Sequence, residues 1–388
     1  MIQQPLAIIA LLVLVEAAVL YVSSRKRFAK YFSFLPSVFW IYFIPMLLST
    51  TGILASKSPV YSIISEFVLP ASLVLLLLSS DIKAILRLGP KALVTMLIGS
   101  AGIMLGTVVV FYIFRNQLAE QAWAGFGSLS GSWTGGSANM IAVKEALSTP
   151  ESVFTPMVVV DTIVPYVWMG ILLAFAGRQV AFDKWNHADS AILDDLSGRI
   201  KNHKEQGKSK KLRRPFLLIA LVSVAGMVAS RFLSGIIPEI PQVLSRYGWM
   251  VITVSCIGIG LSFTRLRSLG EQGASQAGYY LLYFVLTSIG AKASIVNLGV
   301  MPLLITMGFL IVLVHALILL IAARALRLPL FLLATASQAN VGGVASAPVV
   351  SATYRPELAS VGLLLAILGN IIGTYLGIIT GRFCYFIK

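Results

Sequence analysis

Ten stretches of this chain each stay apolar for about 17 to 25 residues, and a chain built that way has few folds open to it. They fall near 5–22, 36–54, 60–79, 91–114, 153–177, 215–236, 246–263, 276–292, 300–325 and 357–383. In hydrocarbon every backbone N–H and C=O must find its partner inside the protein, so runs of this kind become helices. Composition agrees: 57% of the 388 residues are hydrophobic and only 12% charged, against roughly 25% charged in soluble domains. The expected fold class is an all-α polytopic membrane protein with about ten transmembrane helices. Its expected first partner is the lipid bilayer, and its expected location is the cytoplasmic membrane, crossed many times.

The formal net charge of +15 does not point to nucleic acid. The Lys and Arg residues sit in short loops between apolar runs, as positive-inside bias produces, and no basic face remains once the spans are placed. Cys256 and Cys384 are too few for a disulfide framework or a metal site. Residues Pro5 to Val22 lack a basic leader and a small-residue cleavage pattern, so they read as a first span rather than a removed signal. Between 178 and 214 the chain turns hydrophilic, with Arg178, Lys184, Arg199, Lys201, Lys204, Lys208, Lys210, Lys211, Arg213 and Arg214. This reads as a basic, partly disordered cytoplasmic linker between an N-terminal part, 1–177, and a C-terminal part, 215–388.

Two further segments, near 120–148 and 330–350, break the apolar pattern with glycine. The first reads Leu129-Ser130-Gly131-Ser132-Trp133-Thr134-Gly135-Gly136-Ser137-Ala138-Asn139-Met140, and the second Ala334-Thr335-Ala336-Ser337-Gln338-Ala339-Asn340-Val341-Gly342-Gly343-Val344-Ala345-Ser346. Irregular backbone at membrane depth is tolerated only where protein buries it or it lines a cavity. One such break in each half points to a transporter's binding site. Small residues for close helix packing are the alternative reading of either knot alone.

The halves also share an order. Leu75 to Gly89 lines up with Phe284 to Gly299, and each is followed by a long apolar helix, a glycine knot and a last helix with one polar residue inside it, Asp161 or Asn370. That pattern predicts an internal repeat. If both knots crossed the membrane fully, the basic loop Arg25-Lys26-Arg27…Lys30 and the linker 178–214 would lie on opposite sides, against positive-inside bias. If each knot is a re-entrant helical hairpin, both loops become cytoplasmic, together with Lys83/Arg87, Arg265/Arg267 and Arg324/Arg327. The repeats are then inverted, and the knots enter from opposite faces. A broken helix that crosses fully, with the span count off by one elsewhere, stays open as the alternative.

Gly131-Ser132-Trp133-Thr134-Gly135-Gly136-Ser137-Ala138-Asn139-Met140, Asn340-Val341-Gly342-Gly343 and Gly369-Asn370-Ile371-Ile372-Gly373-Thr374-Tyr375-Leu376-Gly377 together resemble the YjcL-like family of uncharacterised bacterial and plant membrane proteins. That family looks like a branch of the superfamily of sodium/glutamate symporters, bile acid:sodium symporters and cation/proton antiporters. The resemblance covers nearly the whole chain. It implies an inverted-repeat fold with a panel, or scaffold, domain and a core domain carrying the two interrupted elements. It supplies no substrate. Where characterised antiporters place two acids at the centre of the core, this chain offers Asp161 and Asn370, which argues against simple electrogenic proton exchange.

Broken helices expose unpaired N–H groups at one end and unpaired carbonyls at the other, favouring anions at the first and cations at the second. The expected substrate-binding residues are therefore Ser132, Thr134, Gly135, Gly136, Ser137 and Asn139 in the first knot, with Ser337, Gln338, Asn340, Gly342, Gly343 and Ser346 in the second. Asp161, an acid among Val and Ile residues, is expected to serve ion coupling with Asn370 and Thr335, since an intramembrane ionisable group is costly unless paired or hydrated. The coupling ion would be sodium or a proton; no other cofactor and no resident metal is expected. Glu16, Glu66, Lys144, Glu145 and His315 read as packing or solvated groups. Metalloprotease, Walker and nucleophile-elbow motifs are missing, so an enzyme is not expected. The expected function is secondary active transport of a small organic, anionic solute. A passive channel and a non-transporting scaffold or sensor are the rivals, and a homodimer is suggested only by analogy of fold.

Overall fold

The computed structural model describes residues 1–28, 31–32, 37–188, 193, 215–240, 246–292 and 300–388. Lys30, most of the basic linker and residues 293–299 of the repeat alignment lie outside them. The described residues are helical apart from short connections and one isolated backbone bridge, Ile2 to Leu54. In chain order the main helices are α1 (Pro5–Ser23), α2 (Ser37–Thr50), α3 (Pro59–Leu78), α4 (Pro90–Phe114), α5 (Ala122–Gly135), α6 (Ser137–Ala146), α7 (Glu151–Phe175) and α8 (Gln179–Trp185). They continue as α9 (Pro215–Ile236), α10 (Arg246–Ser262), α11 (Ser275–Lys292), α12 (Met301–Leu326), α13 (Leu330–Val341), α14 (Gly343–Tyr354) and α15 (Ala359–Phe386).

Each of the ten apolar runs contains a helix, but fewer qualify as spans. Among the described residues, seven helices are long and apolar enough to cross a membrane, and an eighth span arises if Arg246–Ser262 and Arg265–Lys292, bent by 92° against each other, count as one. The described part of α2, Ser37–Thr50, has 14 residues, about 21 Å of rise. Prolines open α1, α3, α4 and α9, and Pro238 and Pro329 follow the ends of α9 and α12.

The chain divides into two compact units. One comprises Met1–Ser79, Ser148–Thr162 and Lys211–Leu304; the other comprises Ser80–Leu147, Ile163–Lys210 and Ile305–Lys388. Each takes elements from both halves of the sequence, so compactness and the expected repeat divide the molecule differently.

Within the first unit, a π-helical turn at Ile64–Val68 interrupts α3, and the hydroxyl of Tyr247 donates to the Ser65 carbonyl there at 2.7 Å. Glu66 pairs with Arg231 at 3.1 Å, both half exposed. Tyr42 and Thr155 share a hydrogen bond of 2.7 Å, and Lys292 meets Glu151 at 3.3 Å.

The second unit contains the helices around both glycine knots. Its apolar core gathers Ala92 and Met96 of α4, Phe331 and Leu332 of α13, and Val361 and Leu365 of α15. The expected loop after residue 178 begins here as α8. Asp183 accepts the N–H of Leu330 at 2.7 Å, capping α13, and the Asn186 side chain donates to the carbonyls of Ala323 and Leu328 at 3.0 and 2.8 Å. A hydrophilic composition hid this anchor, because the groups that it satisfies lie far along the chain.

Candidate functional site

The first knot is a helical hairpin. Helix α5 ends at Gly136, whose φ of +85° only glycine adopts without strain, and α6 folds back along α5. A Cβ added to Gly131 would lie 2.8 Å from Val143, and one added to Gly127 would lie 2.7 Å from Leu147. Partners twelve and twenty residues apart in one short segment require antiparallel arms. A single broken rod is excluded.

The second knot folds the same way. Thr335 on α13 meets Ser351 on α14 at 3.1 Å, and nearer the turn the Gln338 amide donates to Ser346 at 2.7 Å. The chain reverses at Gly342 and Gly343, the latter with φ +62°.

Close packing fixes the first hairpin to α15. Gly127, Gly131 and Gly135 recur every fourth residue on α5, and Gly369, Gly373, Gly377 and Gly381 do so on α15. A Cβ on Gly377 would lie 2.7 Å from the Gly131 Cα, and one on Gly373 would lie 2.5 Å from the Gly135 Cα. Helices with four-residue glycine spacing bring their backbones together in this manner. Asn139 completes the attachment: its amide donates to the Gly135 carbonyl at 2.5 Å, and its oxygen accepts from Thr374 on α15 at 2.5 Å.

Polar staples hold the second hairpin. Asn340 accepts from Ser100 at 2.7 Å and donates to the carbonyls of Met96 and Ala336 at 3.2 and 3.0 Å. His315 Nδ1 lies 2.8 Å from the Gly99 carbonyl, which can only accept, so Nδ1 carries the proton in a neutral ring. Nε2 then accepts from Ser337 at 2.9 Å, and Ser337 in turn accepts from the Trp168 indole at 2.9 Å. The histidine is thus a fully bonded packing residue.

The two tips meet. A Cβ on Gly343 would lie 3.8 Å from the Gly136 Cα, and one on Gly136 would lie 3.2 Å from Asn370 Oδ1. Gly136, Ser137, Ala138, Gly342 and Val344 are half-buried and Ala345 is exposed, within arms that are otherwise mostly buried. Helices α6 and α14 both start at this meeting point. Neither has a side-chain cap or an acid in its first turn, so both present their positive ends unneutralised. Just below the tips, two wholly buried side chains carry an atom with no hydrogen-bond partner among the described residues: Trp133 Nε1, a donor, and Gln338 Oε1, an acceptor.

Of the expected site residues, Gly135, Gly136, Ser137, Gly342, Gly343 and Asn370 come together at the tips, with Asn139, Gln338 and Ser346 next to them. Ser132 is buried, its carbonyl accepting the Gly136 N–H at 2.5 Å. Thr134 bonds back to Ser130 at 2.8 Å in its own helix. Thr335, Ser337 and Asn340 are spent on the bonds already described. Asp161, half-buried on α7, belongs to the other compact unit. Lys144 and Glu145 pair at 3.0 Å at the foot of the first hairpin. Sequence reading missed Thr374 and the orphan nitrogen of Trp133; the glycine spacing along α15 was the signal for a close neighbour there.

Comparison with known proteins places the same stretch in context. The chain is 26% identical over 352 residues to the Uncharacterized membrane protein YjcL of Bacillus subtilis (strain 168), with 87% of each chain covered. The protein is thus a membrane protein with several apolar helices, similar in sequence to another. A family model matches residues 10–386, nearly the whole length, and the chain belongs to that family, described as Protein of unknown function (DUF819).

Proposed function

We propose that the protein is a secondary active transporter of a small organic anion, coupled to sodium or protons. One observation carries this reading: two glycine-turned helical hairpins meet tip to tip, at Gly136 and Gly343. Uncapped helix starts at that point attract a carboxylate without a basic side chain. Half-buried tips within buried arms give a solute a way in while limiting its exposure.

The finer architecture belongs to the same proposal: ten crossings, two inverted repeats, and hairpins re-entering from opposite faces of the cytoplasmic membrane. What supports it is the matching order α4, α5–α6 hairpin, α7 and α12, α13–α14 hairpin, α15. Alternating access then means that the hairpin-bearing unit changes the side of the bilayer to which the tips open.

The test is thermal stabilisation of the detergent-purified full-length chain by a panel of carboxylates, amino acids and neutral solutes, followed by counterflow of any hit in liposomes. A carboxylate is expected to stabilise the wild type and to exchange across the vesicle membrane. Ser137→Leu, which fills the tip, is expected to lose both responses while keeping its ligand-free melting temperature. Carboxylate flux that no sodium or proton gradient can drive uphill would identify a passive pore instead.

A further inference from the structure

Gln338 is completely buried at the neck of the second hairpin, and its amide is only half satisfied. Nε2 donates to Ser346 Oγ at 2.7 Å and, at the long limit of 3.5 Å, to the carbonyl of Pro165 on α7. Oε1 has no partner among the described residues. A buried acceptor left in that state is destabilising, so such groups in folded proteins usually mark a water, an ion or a ligand.

A carboxamide presents nearly the same shape either way round. A half-turn about Cγ–Cδ would exchange its oxygen and nitrogen. Oε1 would then take the place that lies 2.7 Å from Ser346 Oγ and 3.5 Å from the Pro165 carbonyl, which brings it beside two other neutral oxygens. Hard cations take oxygen ligands, and a set without a carboxylate suits a monovalent ion better than a divalent one. As placed, the amide leaves Oε1 without a donor; turned, it sets an N–H in that position, free to be offered to an acceptor on a ligand. Gly342 makes the fold-over possible, because a Cβ there would lie 3.0 Å from Gln338 Cδ.

We propose that Gln338, Ser346 and the Pro165 carbonyl form a sodium site, and that the turned Gln338 amide offers its N–H to an acceptor on the solute. This deepens the transporter reading by naming the coupling ion and the residue that links it to the solute. Ion and solute each satisfy one side of the same amide, so each strengthens the binding of the other.

The measurement is the apparent melting temperature of the purified full-length protein in sodium, potassium and choline chloride at equal ionic strength, without added solute. Sodium is expected to raise it above the other two salts. Gln338→Met, which keeps the length of the side chain without its amide, is expected to weaken apparent sodium affinity by roughly tenfold or more. Thr353→Ala, a change on the exposed face of α14, is expected to keep the full response. Should Gln338→Met fail to fold, Gln338→Glu retains an oxygen at the site and is expected to retain the sodium response. Equal melting temperatures in the three salts, or an undiminished sodium response in Gln338→Met, would overturn the site. Solute exchange without any sodium response removes this ion site and leaves the transporter reading standing; a sodium response without exchange of any solute does the reverse.

Discussion

At the scale of single residues, the account depends on two glycines with positive φ, Gly136 at +85° and Gly343 at +62°. A side chain in the left-handed helical region costs about 1–2 kcal/mol, and Gly136, with ψ 175°, lies where essentially only glycine goes. Space is not the obstacle at Gly343, where a Cβ would meet its nearest neighbour at 3.8 Å. Gly343→Ala is therefore expected to fold with a slightly lowered melting temperature, by the conformational cost alone, and to lose solute stabilisation more than it loses stability. Circular dichroism melts with and without the stabilising carboxylate would check this, and an unaltered solute response would argue against a role for the tip.

The same scale shows what the sequence could reveal. Gly135-Gly136 and Gly342-Gly343 stood out because polar, flexible residues in an apolar background need a special environment. It could not separate Gln338 from Ser337 or Asn340, since all three are polar residues of one turn. Their difference lies in partners such as Pro165, Ser100 and His315, which are distant in sequence. The cap that Asp183 gives to Leu330 was hidden for the same reason.

Among elements, the pairing of α5 with α15 is the tightest helix contact around the hairpins. Glycines spaced by four on both helices let the backbones approach until an added Cβ would overlap the facing chain. Overpacking a close interface costs about 1–3 kcal/mol or more. Gly373→Leu is expected to abolish the folded hairpin, seen as loss of a monodisperse peak in detergent and rapid proteolysis at residues 115–121. The exposed Gly170, with nothing within 4 Å of an added Cβ, is expected to accept Leu with little change. Equal tolerance at both positions would contradict the packing argument. Helix positions were legible because apolar runs declare themselves; the 92° bend before α11 was not, because hydropathy does not report how a helix turns.

For the whole molecule, hairpins count for more than the number of crossings. Positive-inside bias favoured a reversal at each knot, and antiparallel arms are what both knots form. The division into compact units was less legible, because each unit draws on segments separated by long stretches of chain. Family membership and the similar chain mark it as a membrane protein, and the transport reading rests on the tips themselves.

Those tips can be tested directly in native membranes. With Cys256 and Cys384 replaced by serine, the full-length chain carrying Ser137→Cys and Val344→Cys is treated with a short bifunctional thiol reagent and cleaved at an engineered protease site between residues 195 and 212. The account predicts that the two fragments stay joined, and that the carboxylate identified by thermal stabilisation slows the cross-link. Fragments that separate, although each cysteine alone reacts with a monofunctional maleimide, would show that the two hairpins do not meet and would contradict the proposed site.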